Sequence, residues 1–209
     1  MEAFSNSFRS DLSQLMRWRR DVRRFSTEPV DEALLMQCLD TFRLAPSVGL
    51  SEPWRIVRIT SADRRQKAIQ NYQSANAEAL KGYDGDKAAL YSGLKLSGMQ
   101  DAPEHIAVFC DDATAQGSGL GATTMPEMRR YSVVGAINLM WLQARAHGLG
   151  MGWVSILDAP QLCRDLDVPD TWSLIGYLCI GWPETNSTTP ELETAGWEHR
   201  RPDLHIESR

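Results

Sequence analysis

Apolar residues recur along this chain in two rhythms. Phe8, Leu12, Leu15 and Met16 follow a helical spacing, which predicts a largely polar helix within residues 1–24. Thr27-Glu-Pro-Val-Asp31 breaks it, and Asp31 is placed to cap a second helix running to about Leu44. Leu34, Leu35, Cys38, Leu39 and Phe42 form the buried face of that helix, and Pro46 ends it. The rhythm then changes to alternation over 54–60, a strand, before a polar helix over 62–80. A weakly apolar stretch over 82–100 reads either as a candidate lid, since lids come from the less stable parts of a fold, or as a plain surface helix.

Further strands are predicted at 105–111, 151–156 and 173–181. Residues 113–126, with Gly117, Gly119 and Gly121, read as a mobile loop or linker. A dinucleotide-binding turn needs a strand directly before its glycines and a helix opening on the last one. Residues 130–147 form the most apolar helix, with Val133, Val134, Ile137, Met140, Trp141 and Ala144 covering much of its circumference. Such a helix is central or lies in a subunit interface. Gly148 is placed to terminate it. A short helix from Asp158 to Leu166 precedes the last strand. The polar tail 184–209, an expected C-terminal arm, carries Trp197, which favours wrapping a partner. Helices irregularly interleaved with about four strands predict one α+β domain over 1–209.

The bulk numbers narrow the function. With 43% hydrophobic residues the chain can bury a sizeable core, and a formal charge of −5 argues against a general nucleic-acid binder. No apolar run approaches a bilayer span, and the first ten residues lack the apolar core of a signal peptide, so a cytoplasmic location is expected. Cys38, Cys110, Cys163 and Cys179 are scattered and read as free thiols. The histidines show no ligand spacing, and no metal site is expected.

Against that acidic background, Arg17, Arg19, Arg20, Arg23 and Arg24 crowd into eight residues around a single acid, Asp21. Guanidinium forks suit a phosphate or carboxylate. A second feature is the loop 45–54, where Ser47 and Ser51 offer hydroxyls among prolines and a glycine. A third is Ser155, the one hydroxyl in the strand 151–156. No Ser-His-Asp set or phosphate-binding P-loop appears. These parts suit a phosphate-bearing ligand with a flat aromatic body.

Arg19-Arg-Asp-Val-Arg23 followed by Phe25 resembles the N-terminal flavin signature of the nitroreductase superfamily, and Ala45–Trp54 resembles its second flavin loop. Three features resemble the branch of that superfamily that destroys flavin: Asp21 in place of a small hydroxyl residue, Leu50 in place of asparagine, and the blocks 113–134 and 152–158. Glu52 departs from the expected glutamine.

The resemblance implies a central, mostly antiparallel or mixed sheet of four to five strands flanked by helices. It implies an intertwined homodimer with two FMN sites, each built from both chains. In that reading Arg19, Arg20, Val22 and Arg23 hold the FMN phosphate and ribityl chain, with Arg200 or Arg201 adding to the phosphate site and Ser47 and Ser51 lining the second loop. Arg17 and Arg24 are surface charges. Asp21 and Ser155 are the catalytic pair. The implied reaction is the oxygen-dependent fragmentation of FMNH2, supplied by a separate flavin reductase, to 5,6-dimethylbenzimidazole, the lower ligand of vitamin B12, with erythrose 4-phosphate released. FMN is then a substrate and O2 a co-substrate. The alternative on the same fold is an NAD(P)H-dependent nitroreductase or flavin reductase that retains its FMN.

Overall fold

Helix α1 (Asn6–Trp18) opens the chain, capped by Ser5, whose hydroxyl accepts the Phe8 N–H at 3.2 Å. It ends at Trp18, so the arginine-rich segment is extended and not helical. The computed structural model describes residues 3–94 and 96–209. The start of the expected first helix, Met1 and Glu2, and Lys95 of the candidate lid lie outside them.

Asp31 caps α2 (Glu32–Leu39) as expected, accepting from the Leu34 N–H at 3.0 Å. The helix then tightens into a 3₁₀ segment, Asp40–Leu44, instead of continuing to Leu44 as one α-helix. Strand β1 (Trp54–Arg58), helix α3 (Ala62–Leu80) and the two short helices α4 (Gly85–Gly93) and α5 (Gly98–Asp101) follow. Strand β2 (Glu104–Asp111), helix α6 (Met128–Ala146), strand β3 (Gly150–Val154), helix α7 (Ala159–Leu166), strand β4 (Trp172–Gly181) and a single turn, α8 (Glu191–Thr194), complete the order.

The strands form one four-stranded sheet in the order β1-β2-β4-β3, with every neighbouring pair antiparallel. Strand side chains alternate between faces, and here both faces are apolar. On β2, Ile106, Val108 and Cys110 join one buried cluster with Leu35 and Phe42 and with Val133, Ile137 and Met140 of α6. Ala107 and Phe109 join the other with Ala68 of α3, Met99 of α5 and Leu162 of α7. This is why β2 and the end of β4 read as unbroken apolar runs.

Residues Val133, Ala136, Ile137, Met140, Trp141 and Ala144 of α6 are buried at helical spacing, which makes it the central helix of its layer. Val134, expected among them, stays 36% exposed beside the exposed Tyr131. Gly148 ends the helix as expected, at φ +85°. The Leu149 N–H reaches the Ala144 carbonyl at 2.9 Å and the Gly148 N–H that of Arg145 at 3.0 Å.

Cys38, Cys110 and Cys179 are buried and Cys163 half-buried, all unpaired among the described residues. Burial pushes the Cys38 thiol up to about 11, and those of Cys110 and Cys179 to about 12, so none is a ready nucleophile. His105 is wholly buried, its Nδ1 2.8 Å from the Tyr177 hydroxyl. Burial, with Arg65 adding to it, takes its imidazole down to about 3 and keeps it neutral. None of the helices is long and apolar enough to cross a membrane, among the described residues.

Candidate active site

The arginine-rich segment is placed by glycines on the far side of the sequence. The Val22 N–H donates to the Met151 carbonyl at 3.0 Å, and Asp21 pairs with Met151 as a parallel bridge along the free edge of β3. A Cβ at Gly152 would stand 2.3 Å from the Val22 carbonyl oxygen, and one at Gly150 would stand 2.8 Å from a Val22 methyl. Only glycine lets the two backbones approach this closely. Val22 therefore holds the segment to the sheet through its backbone.

This docking brings Asp21 to the end of β3. Its Oδ1 accepts the Trp153 N–H at 2.9 Å across 132 residues of sequence. Its Oδ2 lies 3.7 Å from Arg23 Nε. The side chain of Arg23 is 12% exposed and that of Asp21 40%. Loss of water around the carboxyl pushes it above the ordinary carboxylate range. The Trp153 N–H and the Arg23 and Arg19 guanidinium groups work against that shift without cancelling it. A carboxyl whose proton is held more firmly than usual is better matched to proton transfer than an ordinary surface carboxylate.

Ser155 lies one residue beyond β3 and is exposed, not inside the strand as the pattern predicted. The strand ends because the chain turns there, the Leu157 N–H reaching back to the Ser155 carbonyl at 3.0 Å. Ser155 is two residues past Trp153, so its hydroxyl-bearing loop continues directly from the peptide that Asp21 grips.

The arginines separate by role. Arg20 donates Nε and Nη2 to the Thr188 carbonyl at 2.9 and 2.6 Å, and Nη1 to the Arg19 carbonyl at 2.8 Å. It therefore ties the C-terminal arm to the N-terminal segment while lining the recess between them. Arg24, expected as a surface charge, pairs with Glu191 of the arm at 2.9 Å. Arg17 is exposed, as expected. The Arg19 guanidinium lies 4.6 Å over the Trp141 ring, itself against Trp153. Arg200 and Arg201 are exposed on the arm. Burial lowers the Arg20 guanidinium, and the charges of Arg200 and Arg19 lower it further. Between these groups lies a recess of about 60 Å³ lined by residues 20–24 with Thr185, Ser187, Thr189 and Glu191.

The second loop stands elsewhere. Ser47 and Ser51 precede β1, at the opposite edge of the sheet from β3, and Val48 is tied to Ser132 near the start of α6 at 3.1 Å. The loop is wound tightly: Gly49, Leu50 and Glu52 all take positive φ, at 59°, 56° and 40°. Ser47 Oγ accepts the Glu52 N–H at 3.0 Å. Ser51 is 3% exposed, and its hydroxyl finds no partner among the described residues. Gly117 and Gly121 pack against this loop, while Gly119 faces Thr123 of its own segment. Residues 113–126 are a chain of turns packed on it, not a free linker. Gln116 Nε2 donates to the Leu50 carbonyl at 2.9 Å, and a Cβ at Gly117 would meet the Gly49 carbonyl oxygen at 2.4 Å. The alternating glycines signalled a close backbone contact, a signal open to sequence reading but without a partner to assign it to.

The arm also carries Trp197. It packs on Tyr83 and Tyr91 beside α4 of its own chain, at 5.4 and 6.2 Å between rings, with Lys87 Nζ 4.2 Å over the indole. Part of its apolar area is covered in this way, and the indole stays partly exposed.

A sheet with an arginine segment docked on its free edge and a wound serine loop at the other is the arrangement that the nitroreductase family model matches over residues 16–182, and the chain belongs to that family. It is an oxidoreductase-type enzyme of that family. It is 51% identical to the 5,6-dimethylbenzimidazole synthase of Rhodospirillum rubrum, over 95% of this chain and 94% of that protein. It is 41% identical to the synthase of the same name from Rhodobacter capsulatus, over 95% and 96%. Among solved structures it resembles oxidised iodotyrosine deiodinase bound to FMN and 3-iodo-L-tyrosine, with a TM-score of 0.72 and 19% identity over 95% of this chain and 97% of that one. That likeness supports the fold alone.

Proposed function

We propose that the protein is a 5,6-dimethylbenzimidazole synthase that fragments FMNH2 with O2 and releases erythrose 4-phosphate. The observation that carries this reading is the hydrogen bond from the Trp153 N–H to Asp21 Oδ1. It puts the carboxyl that distinguishes this branch beside the loop bearing Ser155. The kinship with two synthases over almost the whole chain supports the same reading.

The donor set fits the anionic end of the flavin. Arg20 and Arg23 line a recess of phosphate dimensions together with Val22, beside Asp21, Arg24 and Glu191, and Arg19, next in sequence, and Arg200 from the arm would add to the phosphate site from its rim. Arg201 stays a candidate for the same role on its exposure alone. Arg20 also holds the arm in place. The recess is far smaller than the ~300–1,000 Å³ of a pocket for a whole ligand of this size. Ser47 and Ser51 also lie at the other edge of the sheet, three strand spacings or roughly 14 Å away. Both facts support a site completed by a second copy, whose Ser47–Ser51 loop would cover the ring. Exposed apolar side chains support a homodimer as well: Phe8, Leu12 and Met16 of α1, Tyr131 of α6, and Leu50 at 70% exposure. Residues 82–100 remain our candidate lid over the ring, and a separate reductase would supply FMNH2.

Reduced flavin supplies the electrons that activate O2. This chain's groups bind and steer it. The arginines hold the phosphate end. Asp21, with its raised carboxyl, takes and returns a proton beside the ribityl C1′, and the Ser155 hydroxyl donates a hydrogen bond that orients the ring. Losing either group costs on the order of 10²–10⁴ in rate. The test is incubation of the protein with FMN, an added flavin reductase and air. We expect the flavin chromophore to be destroyed and dimethylbenzimidazole to appear. Asp21→Asn and Ser155→Ala should bind FMN and form almost no product. A chromophore that merely cycles with NADH would support the flavin-retaining alternative, and wild-type rates in both variants would overturn the assigned roles.

A further inference from the structure

Three residues separate the end of β3 from Asp158, the cap of α7, and Ser155 is the first of them. Asn71, in the middle of α3, is 9% exposed. Its Nδ2 donates to the Asp158 carbonyl at 2.9 Å, and its Oδ1 accepts the Asp158 N–H at 2.8 Å. Both ends of one buried amide are spent on one residue 87 positions away. The amide is locked in that orientation, because a flip would set donor against donor and acceptor against acceptor.

Asp158 is held from its other side too, its Oδ1 accepting the Gln161 N–H at 2.9 Å. Upstream, Val154 is 3% exposed and registered against Tyr177 of β4. Ser155 therefore hangs between two fixed points, and its own carbonyl is engaged by the Leu157 N–H. A groove of about 730 Å³ between α3 and α7 runs along this junction, bordered by Asn71, Leu157 and Asp158. Arg64 of α3 donates to the Leu166 carbonyl at the far end of α7 at 2.8 Å, and Ala68 shares a buried cluster with Leu162, but among the described residues the Asn71 amide makes the side-chain hydrogen bonds from α3 to the connection itself.

We infer that Asn71 is a positioning residue: it clamps the 155–158 connection so that the loop carrying the Ser155 hydroxyl keeps its place next to the Trp153 peptide that Asp21 holds. It should thus govern turnover and not flavin affinity. This rests on the role proposed above for Ser155.

The test uses Asn71→Leu, which keeps the volume and removes both hydrogen bonds, and Asn71→Asp, which keeps the acceptor and loses the donor. Each is made alone and with Ser155→Ala. Hydrogen–deuterium exchange of the flavin-free protein reads the clamp directly. We expect the amides of 155–158 to exchange at least about tenfold faster in Asn71→Leu, with those of β2 and β4 unchanged. In single turnovers of FMNH2 with air, we expect dimethylbenzimidazole formation to slow on the order of 10²-fold, as a misplaced group does. FMN should bind within about threefold of the wild-type constant, and no further loss should appear on the Ser155→Ala background. Should Asn71→Leu not fold, Asn71→Asp supplies the same comparison. Unchanged exchange would overturn the clamp. An equal rate loss with and without Ser155 would reduce Asn71 to a stabilising contact. If the wild-type protein forms no dimethylbenzimidazole, the proposed function fails while the exchange comparison still decides the clamp.

Discussion

The two edges of the sheet each present a glycine-dependent loop, and they achieve it by opposite means. At the β3 edge, Gly150 and Gly152 sit in a regular strand, and what matters is the missing Cβ: the Asp21–Val22 backbone lies where a side chain would be. At the β1 edge, Gly49 and Gly117 have positive φ, and what matters is backbone freedom as well as space. The first edge is relaxed and paired like a strand. The second holds two non-glycine residues, Leu50 and Glu52, in the left-handed region, at about 1–2 kcal/mol each. A relaxed edge suits the proton-handling role proposed for Asp21, which needs the carboxyl to keep one position. A wound loop stays wound only because the 113–126 turns over-determine it.

Three substitutions sharpen that contrast. Gly152→Ala should have the largest effect. Its Cβ would stand 2.3 Å from a carbonyl oxygen, so the 21–22 segment must leave the strand. We expect a loss of about 3 kcal/mol or more in denaturant unfolding, with FMN binding abolished. A near-normal unfolding midpoint would show that the edge is not built as described.

Gly117→Ala should cost less, about 1–3 kcal/mol, because a chain of turns can shift where a strand cannot. The loss should fall on the second loop, seen as faster proteolysis or exchange over 47–52 with the β3 edge unchanged. Equal loosening of both edges would erase the distinction between them.

Asp21→Asn should have the smallest effect on stability, and of opposite sign. The folded carboxyl is raised, so its charged form is disfavoured in the fold. Above the raised value, folding carries the cost of that charge, and the asparagine variant should melt slightly higher than wild type. As pH falls through the raised value the wild-type group protonates and the difference shrinks, vanishing below about 3.9, the unfolded value. A variant that melts lower at neutral pH would mean that the Arg23 and Trp153 contacts outweigh the loss of water.

The elements were largely legible in the sequence. The polar helix 62–80, the apolar helix around 130–147, the four strands and the caps at Asp31 and Gly148 are local matters of periodicity and backbone preference, and the chain spells them out. The arginine cluster and Asp21 were visible as a departure from an acidic composition. The family resemblance and the two synthase relatives converge on the same reading.

What the tertiary structure decided is pairing between distant segments, which no local pattern encodes. It alone shows that Arg20 reaches Thr188, that Trp197 packs on Tyr83 and Tyr91 of the same chain, and that Ser155 stands outside the strand. It also gave the triple-glycine loop a purpose against Leu50, and set Asn71 across Asp158. Glycine spacing in the sequence says that something must come close. Only the folded backbone says what.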